Sequence, residues 1–170
     1  MSGPDFLIEP RSRITGRPAP VHAGPRARRV PYPRAVSVPD SLERLRAAAD
    51  DGRLDGLARR HGITLLTVFG SALRTPERAR DLDVAVSLPA GAHGLLALVG
   101  ELADLTGSDA VDLLVLDGAP PTARFAGLVG AQPLYEESPG LFARTQMAAA
   151  LEFYETAWLR DLDLQRMATS

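Results

Sequence analysis

Residues 63–87 read ITLLTVFGSALRTPERARDLDVAVS, and this stretch decides the fold. Its first part, Ile63 to Phe69, is a short run rich in apolar, β-branched and aromatic residues, which predicts a buried strand. Gly70 and Ser71 are turn residues that end this strand. Leu82 to Ser87 alternates apolar with other residues and predicts a second strand.

Three carboxylates accompany the predicted strands. Asp81 and Asp83 are two residues apart at the head of the second strand, so they project from the same face. Val111 to Leu116 predicts a third strand, which Asp112 begins. If the two strands pair, the three acids converge, and like charges that close need cations to remain ionised at neutral pH. A pair of Mg²⁺ ions, which prefer oxygen ligands, is the natural occupant.

The turn before these acids has the features of an anion site. Gly70 lets a phosphate approach the backbone, and the Ser71 hydroxyl adds a donor at the start of a short helix. Arg74 lies one turn further on and has the reach for a bidentate phosphate contact, although a loop arginine is as often a plain surface residue. A pair of metal ions beside an anion site of this kind is typical of enzymes that transfer phosphoryl or nucleotidyl groups.

Helical segments surround the strands and predict an α/β (α+β) fold: a small mixed sheet of three core strands plus an edge, flanked by helices. Asp40 or Ser41 is expected to cap the first helix. This first helix carries Leu42 and Leu45, and a second, Leu54 to Arg60, lies between Gly52 and Gly62. Further helices are predicted at about Ala92 to Leu105, at Thr122 to Val129 and, as a long C-terminal helix, from about Pro139 to Ala168. Gln132 to Glu136 is predicted to be extended.

The predicted C-terminal helix is amphipathic. Its apolar positions include Leu141, Met147, Leu151, Tyr154, Trp158 and Leu162. We expect Phe153, Tyr154 and Trp158 to belong to the core, with a partner-binding stripe as the alternative.

The first 39 residues differ in composition from the rest. They hold eight of the fourteen prolines and seven arginines against two acids, whereas residues 40–170 hold twelve arginines against nineteen acids. We expect a disordered Pro/Arg-rich arm over residues 1–39 and one domain over residues 40–170. A basic tail that contacts RNA or an acidic partner is the alternative for the arm, while the acidic domain itself is not expected to bind nucleic acid stably.

Missing residue types exclude whole chemistries. The chain has no cysteine, and all 19 basic residues are arginine. Thiol catalysis, cysteine zinc sites, lysine-containing phosphate loops and Schiff-base enzymes are therefore excluded. No apolar run spans a bilayer and no secretory signal is evident, so a cytoplasmic protein without a membrane partner is expected.

The motif order resembles the DNA polymerase-β-like nucleotidyltransferase superfamily, whose signature is Gly-Ser, nine or ten residues, Asp-x-Asp and a later acid. Here Gly70-Ser71 is followed after nine residues by Asp81-Leu82-Asp83, and then by Asp112. More narrowly, the chain is similar to the minimal nucleotidyltransferase antitoxins, in which a short core precedes an element like Pro133 to Glu136 and a terminal helix.

This resemblance implies a polymerase-β-like fold and a division of roles. Asp81 and Asp83 would bind both Mg²⁺ ions, Asp112 would bind one and help to deprotonate the attacking hydroxyl, and Gly70 with Ser71 would hold the triphosphate. ATP would donate AMP to a tyrosine of a HEPN-domain ribonuclease toxin, with which the chain could form an oligomer. Two positions depart from the family, which usually has glycine at Thr75 and serine at Arg80.

Two other functions stay open at this point. The chain could be a catalytically weak antitoxin that neutralises the toxin by binding it. It could instead modify a small molecule, as antibiotic nucleotidyltransferases do, but those usually carry an added helical domain for the substrate.

Overall fold

A four-stranded sheet with helices on both faces forms the described part of the chain, which in this computed structural model is residues 36–89, 94–158 and 167. Residues 1–35 of the predicted arm lie outside this part. The helices are α1 (Val38–Asp50), α2 (Arg53–His61), α3 (Ser71–Arg74), α4 (Leu95–Thr106), α5 (Pro121–Leu128) and α6 (Leu141–Glu155), the strands are β1 (Leu65–Phe69), β2 (Leu82–Ser87), β3 (Val111–Val115) and β4 (Gln132–Glu136), and a short 3-10 helix covers Pro76–Arg78.

The strand order β3-β2-β1-β4 makes the sheet mixed, as the sequence predicts. β1 is antiparallel to both β2 and β4, whereas β2 and β3 are parallel. The antiparallel pair needs only the short connection through α3, and the parallel pair is joined by a crossover that contains α4. β3 and β4 form the two edges of the sheet.

The two faces of the sheet bury cores of unequal size. Alternate residues of β1 and β2 point to opposite faces. On the first face, Leu66, Val68, Val84 and Val86 pack with α1, α2 and α4 in the larger core. On the second face the smaller core lies beneath α5 and α6; its buried members are Leu65, Ala85, Leu116, Leu128 and Ala149.

The first helix begins earlier than the sequence predicts. Its N-cap is Ser37, whose side-chain oxygen accepts a hydrogen bond from the Asp40 N–H at 3.4 Å, so the expected cap at Asp40 or Ser41 is wrong. Pro39 fits within the first turn, where a missing N–H costs no helix bond. Ser41 faces inward and is buried.

The last described helix is α6, which ends at Glu155. Thr156 follows as a turn whose hydroxyl donates to the Glu152 carbonyl at 2.7 Å, and residues 157–158 are helical again. The predicted continuation over 159–166 and at 168 lies outside the described residues. None of the described helices has the length and apolar character needed to cross a membrane.

The prediction that Tyr154 and Trp158 belong to the core is wrong. Their relative exposures are 67% and 61%. α6 buries its opposite face instead, where Ala149 is fully buried and Phe153 stacks on Phe125 at 4.2 Å between ring centroids.

Candidate active site

The strand register brings two of the three acids side by side. Asp83 of β2 pairs with Asp112 of the parallel strand β3, and on its other side it pairs with Phe69 of β1. Asp81 directly precedes β2. The two strands that carry the acids therefore pair as predicted. Because side chains alternate between the faces of a sheet, Asp83 and Asp112 lie on the face that carries α5 and α6.

Gly70 lies directly against Asp83. Its φ of 76° and ψ of −148° are dihedrals that residues with a side chain rarely adopt. A Cβ built on Gly70 would overlap the Asp83 carboxylate and lie 2.8 Å from its Cγ. The Gly-Ser turn and the Asp-x-Asp segment thus form one unit, because the carboxylate occupies the space that the glycine leaves.

The environment of Asp83 raises the pKa of its carboxyl above the ordinary value. Burial is the largest cause, followed by the negative charge of Asp81, with a smaller contribution from Asp112. The Ser71 backbone N–H donates to the Asp83 carboxylate and lowers the pKa, as does the positive charge of Arg74. Burial and the acidic neighbours therefore disfavour the ionised Asp83 carboxylate by more than Ser71 and Arg74 favour it.

The chemistry of the donor set suits Mg²⁺. Asp81, Asp83 and Asp112 offer only carboxylate oxygens, which this ion prefers. A cation would offset the burial and the acidic neighbours that raise the Asp83 pKa. Within the described ranges, however, no three His, Cys, Asp or Glu side chains are grouped closely enough to hold a metal. The acids therefore suit a magnesium site by the kind of oxygen they offer, and not by their spacing in the described residues.

The predicted phosphate-binding residues follow immediately. α3 is only four residues long; it begins at Ser71, which is half-buried, and ends at Arg74, which is exposed. The Ser71 backbone N–H interacts with Asp83 and lowers its pKa. The hydroxyl of Ser71 and the guanidinium of Arg74 are the groups on this turn that we assign to an anion.

One supporting residue escaped the sequence analysis. Thr67 is fully buried, and its hydroxyl donates to the Gly127 carbonyl at 2.8 Å. The bond ties β1 to α5 on the acid-bearing face. A polar residue inside the apolar run Leu65 to Phe69 was the signal that could have revealed it, because a buried hydroxyl needs a partner.

No protein-family model and no curated protein sequence matches this chain. Solved structures do match in fold. A structure described as a toxin-antitoxin with AMP-PNP aligns at a TM-score of 0.58 and 19% identity, covering 70% of this chain and 98% of the other. The chain shares this fold, which we call the MNT fold after the MNT antitoxin of one such structure.

Two further structures share the MNT fold. An MntA-HepT mutant with two Asp-to-Glu substitutions two positions apart aligns at a TM-score of 0.58 and 17% identity, covering 69% of this chain and 98% of the other. A Shewanella oneidensis structure, described as tri-AMPylated HEPN toxin in complex with MNT antitoxin, gives a TM-score of 0.56 and 16% identity, covering 72% and 98%. The MNT fold therefore accounts for nearly the whole matched chain in each structure.

Proposed function

We propose that this chain is a nucleotidyltransferase antitoxin that transfers AMP from ATP to a HEPN-domain ribonuclease toxin. The observation that carries the proposal is the unit formed by Gly70, Ser71 and Asp83, with Asp112 in register beside it. Structures of the same fold include one with AMP-PNP and one with an AMPylated HEPN toxin. These support both the donor and the acceptor.

In this proposal Asp81 and Asp83 hold two Mg²⁺ ions and Asp112 holds one of them. When bound, the ions supply positive charge that neutralises the triphosphate. The Ser71 hydroxyl and Arg74 contact phosphate oxygens, and the Ser71 amide keeps the Asp83 carboxylate in place. Asp112 is exposed at the edge strand, where an acceptor as large as a protein has access.

The reaction proposed is an in-line displacement at the α-phosphorus of ATP. The hydroxyl oxygen of a toxin tyrosine forms a bond to this phosphorus while the bond to the bridging oxygen of pyrophosphate breaks. Asp112 accepts the hydroxyl proton, and pyrophosphate leaves with the electron pair of the broken bond. Positioning and charge neutralisation supply most of the rate, since the protein forms no covalent intermediate.

A binding-only antitoxin is the second candidate. Two observations favour it: the described acids do not form a closed metal-binding group, and the family departures Thr75 and Arg80 adjoin the site. Arg80 is exposed directly before Asp81, so its charge acts close to the proposed metal ligands.

Transfer of label from α-³²P-ATP separates the two candidates. The assay contains Mg²⁺, this chain and a HEPN-domain protein encoded by a neighbouring gene, with wild type compared with Asp81→Asn/Asp83→Asn. The matched control is Asp50→Asn/Asp104→Asn, which removes the same charge from two exposed acids on α1 and α4. Label on the partner tyrosine that disappears only with the first double variant would support the enzyme.

The absence of transfer would have a different meaning. If no protein is labelled and both double variants still bind and neutralise the partner, the chain acts by binding alone. If label appears equally with both double variants, the assignment of Asp81 and Asp83 is wrong.

A further inference from the structure

The outer face of α6 carries an exposed apolar stripe. Met147, Leu151, Tyr154 and Trp158 have relative exposures of 62%, 55%, 67% and 61%. Their spacing of four, three and four residues keeps them within about 60° of one another around a helix that advances about 100° per residue. We call these four residues the α6 stripe; Trp158 extends it beyond the turn at Thr156.

Within the described part of the chain, the stripe contributes to packing through one edge of Tyr154, which meets the Phe125 ring at 6.0 Å between centroids, while 67% of Tyr154 stays exposed. The opposite side of α6 is already occupied by Ala149 and by Phe153 stacked on Phe125. Glu152, the one acid between Met147 and Tyr154, pairs with Arg124 at 2.6 Å on α5. The stripe is therefore uncharged as well as exposed.

The exposed area is large for a surface without a partner. Two aromatic side chains exposed by about two thirds present roughly 200–300 Å² on their own. With the leucine and the methionine, the α6 stripe reaches the size of the apolar patches that mark interaction sites.

Charges of opposite sign stand at the two ends of the stripe. Arg144 lies one turn before Met147, and Glu155 follows Tyr154; both are exposed. If two copies of α6 pair antiparallel about Leu151, each leucine meets its counterpart and each Met147 meets a Tyr154. Arg144 of one copy then lies near Glu155 and Trp158 of the other, which allows an ion pair and a cation–π contact. A parallel pair would bring like charges together.

We propose that the α6 stripe is a self-association surface through which two copies of this chain pair about a two-fold axis. Such an interface is isologous, so one set of residues must complement itself, and the two charged ends of the stripe meet this condition. The area of the stripe estimated above is at the low end of specific interfaces, so we expect a weak dimer, with a Kd in about the micromolar range or higher.

Sedimentation equilibrium of the full chain tests the dimer without ATP or toxin, so its result does not depend on the proposed enzymatic function. Wild type should change from monomer to dimer as its concentration rises through and above about the micromolar range. Leu151→Glu places two like charges at the centre of the interface and should weaken association at least tenfold. The matched control is Leu96→Glu, because Leu96 on α4 is 87% exposed and outside the stripe.

A charge exchange tests the antiparallel arrangement. Glu155→Arg alone should weaken the dimer because it brings arginines together, and Arg144→Glu/Glu155→Arg should restore it. Circular dichroism verifies that each variant is folded. A wild type that stays monomeric well above the micromolar range, or a dimer that Leu151→Glu and Leu96→Glu weaken equally, would overturn the proposal and leave the stripe for a different protein. A double variant that does not recover would overturn the antiparallel pairing.

Discussion

At Gly70, the shape of a single residue decides whether two motifs can meet. Replacement by alanine must push the Asp83 carboxylate aside, since the new Cβ would occupy its position, and it also strains a backbone with positive φ. For Gly70→Ala we expect a loss of stability of about 1–3 kcal/mol. We also expect AMP transfer to fall about 100-fold or more, because Asp83 is displaced. Urea unfolding and the transfer assay measure the two effects.

Gly130 provides the control for this variant. It shares the φ of 76°, but a Cβ there meets nothing within 4 Å. Gly130→Ala should lose stability from backbone strain and keep its transfer activity. Equal activity in the two variants would show that the contact between Gly70 and Asp83 is not needed for catalysis.

The raised pKa of Asp83 predicts that the stability of the fold depends on pH. Burial and Asp81 hold its pKa above the ordinary value, so the folded chain binds this proton more tightly than the unfolded chain does. The ionised carboxylate therefore destabilises the fold above the raised pKa, and this cost disappears below the ordinary pKa near 4. In buffer without Mg²⁺, Asp83→Asn should be more stable than wild type at pH 7, and the difference should vanish near pH 3.

Denaturant unfolding at the two pH values measures this difference. Asparagine retains an oxygen that can accept the Ser71 N–H, so the comparison mainly removes charge. A variant that is less stable than wild type at pH 7 would mean that the hydrogen bond to the carboxylate outweighs its burial.

At the scale of elements, the segment from β1 to β2 could be predicted because its local signals agree. The apolar run, the Gly-Ser turn and the alternation after Asp81 each indicate the element that is observed. The same spacing could not show that the carboxylate lies on Gly70, because that contact depends on antiparallel pairing in one register, Phe69 with Asp83. It also could not show that the Ser71 N–H interacts with Asp83.

Sequence reasoning failed at helix ends and on outer faces, where several residues give the same signal. Ser37, Asp40 and Ser41 are all good capping residues, and only packing selects among them. An amphipathic pattern likewise shows that α6 has an apolar side without showing what covers it. In the fold, α6 rests on α5 through Ala149 and Phe153, and Tyr154 meets Phe125 only edge-on and stays 67% exposed.

The choice of cap predicts opposite effects for two serines. Ser37→Ala removes the side-chain acceptor at the N-terminus of α1 and should cost about 1 kcal/mol. Ser41→Ala should be neutral or stabilising, because the buried Ser41 hydroxyl has no hydrogen-bond partner within the described residues. Thermal unfolding of the two variants compares them directly. A larger loss for Ser41→Ala would restore the cap that the sequence predicted.

At the scale of the whole molecule, the sheet separates two layers of helices that bury different numbers of apolar side chains. α1, α2 and α4 share the larger core with β1 and β2, whereas α5 and α6 cover the smaller one. The second layer is also joined to the rest by specific polar bonds such as that between Thr67 and Gly127. Because Asp83 and Asp112 lie on this second face, the layer with fewer buried contacts also adjoins the candidate active site.

Two equally buried leucines test whether the layers open separately. Leu102 on α4 and Leu128 on α5 are both fully buried, and Leu→Ala at such positions typically costs about 2–5 kcal/mol. Leu102→Ala should lower the protection of β1, β2 and α4 amides against hydrogen exchange, together with the global free energy of unfolding. Leu128→Ala should act mainly on α5 and α6, whose amides should exchange at lower free energy than those of β1 even in the wild type. If both variants reduce protection uniformly, the two layers unfold as one unit, and the active-site face has no separate opening.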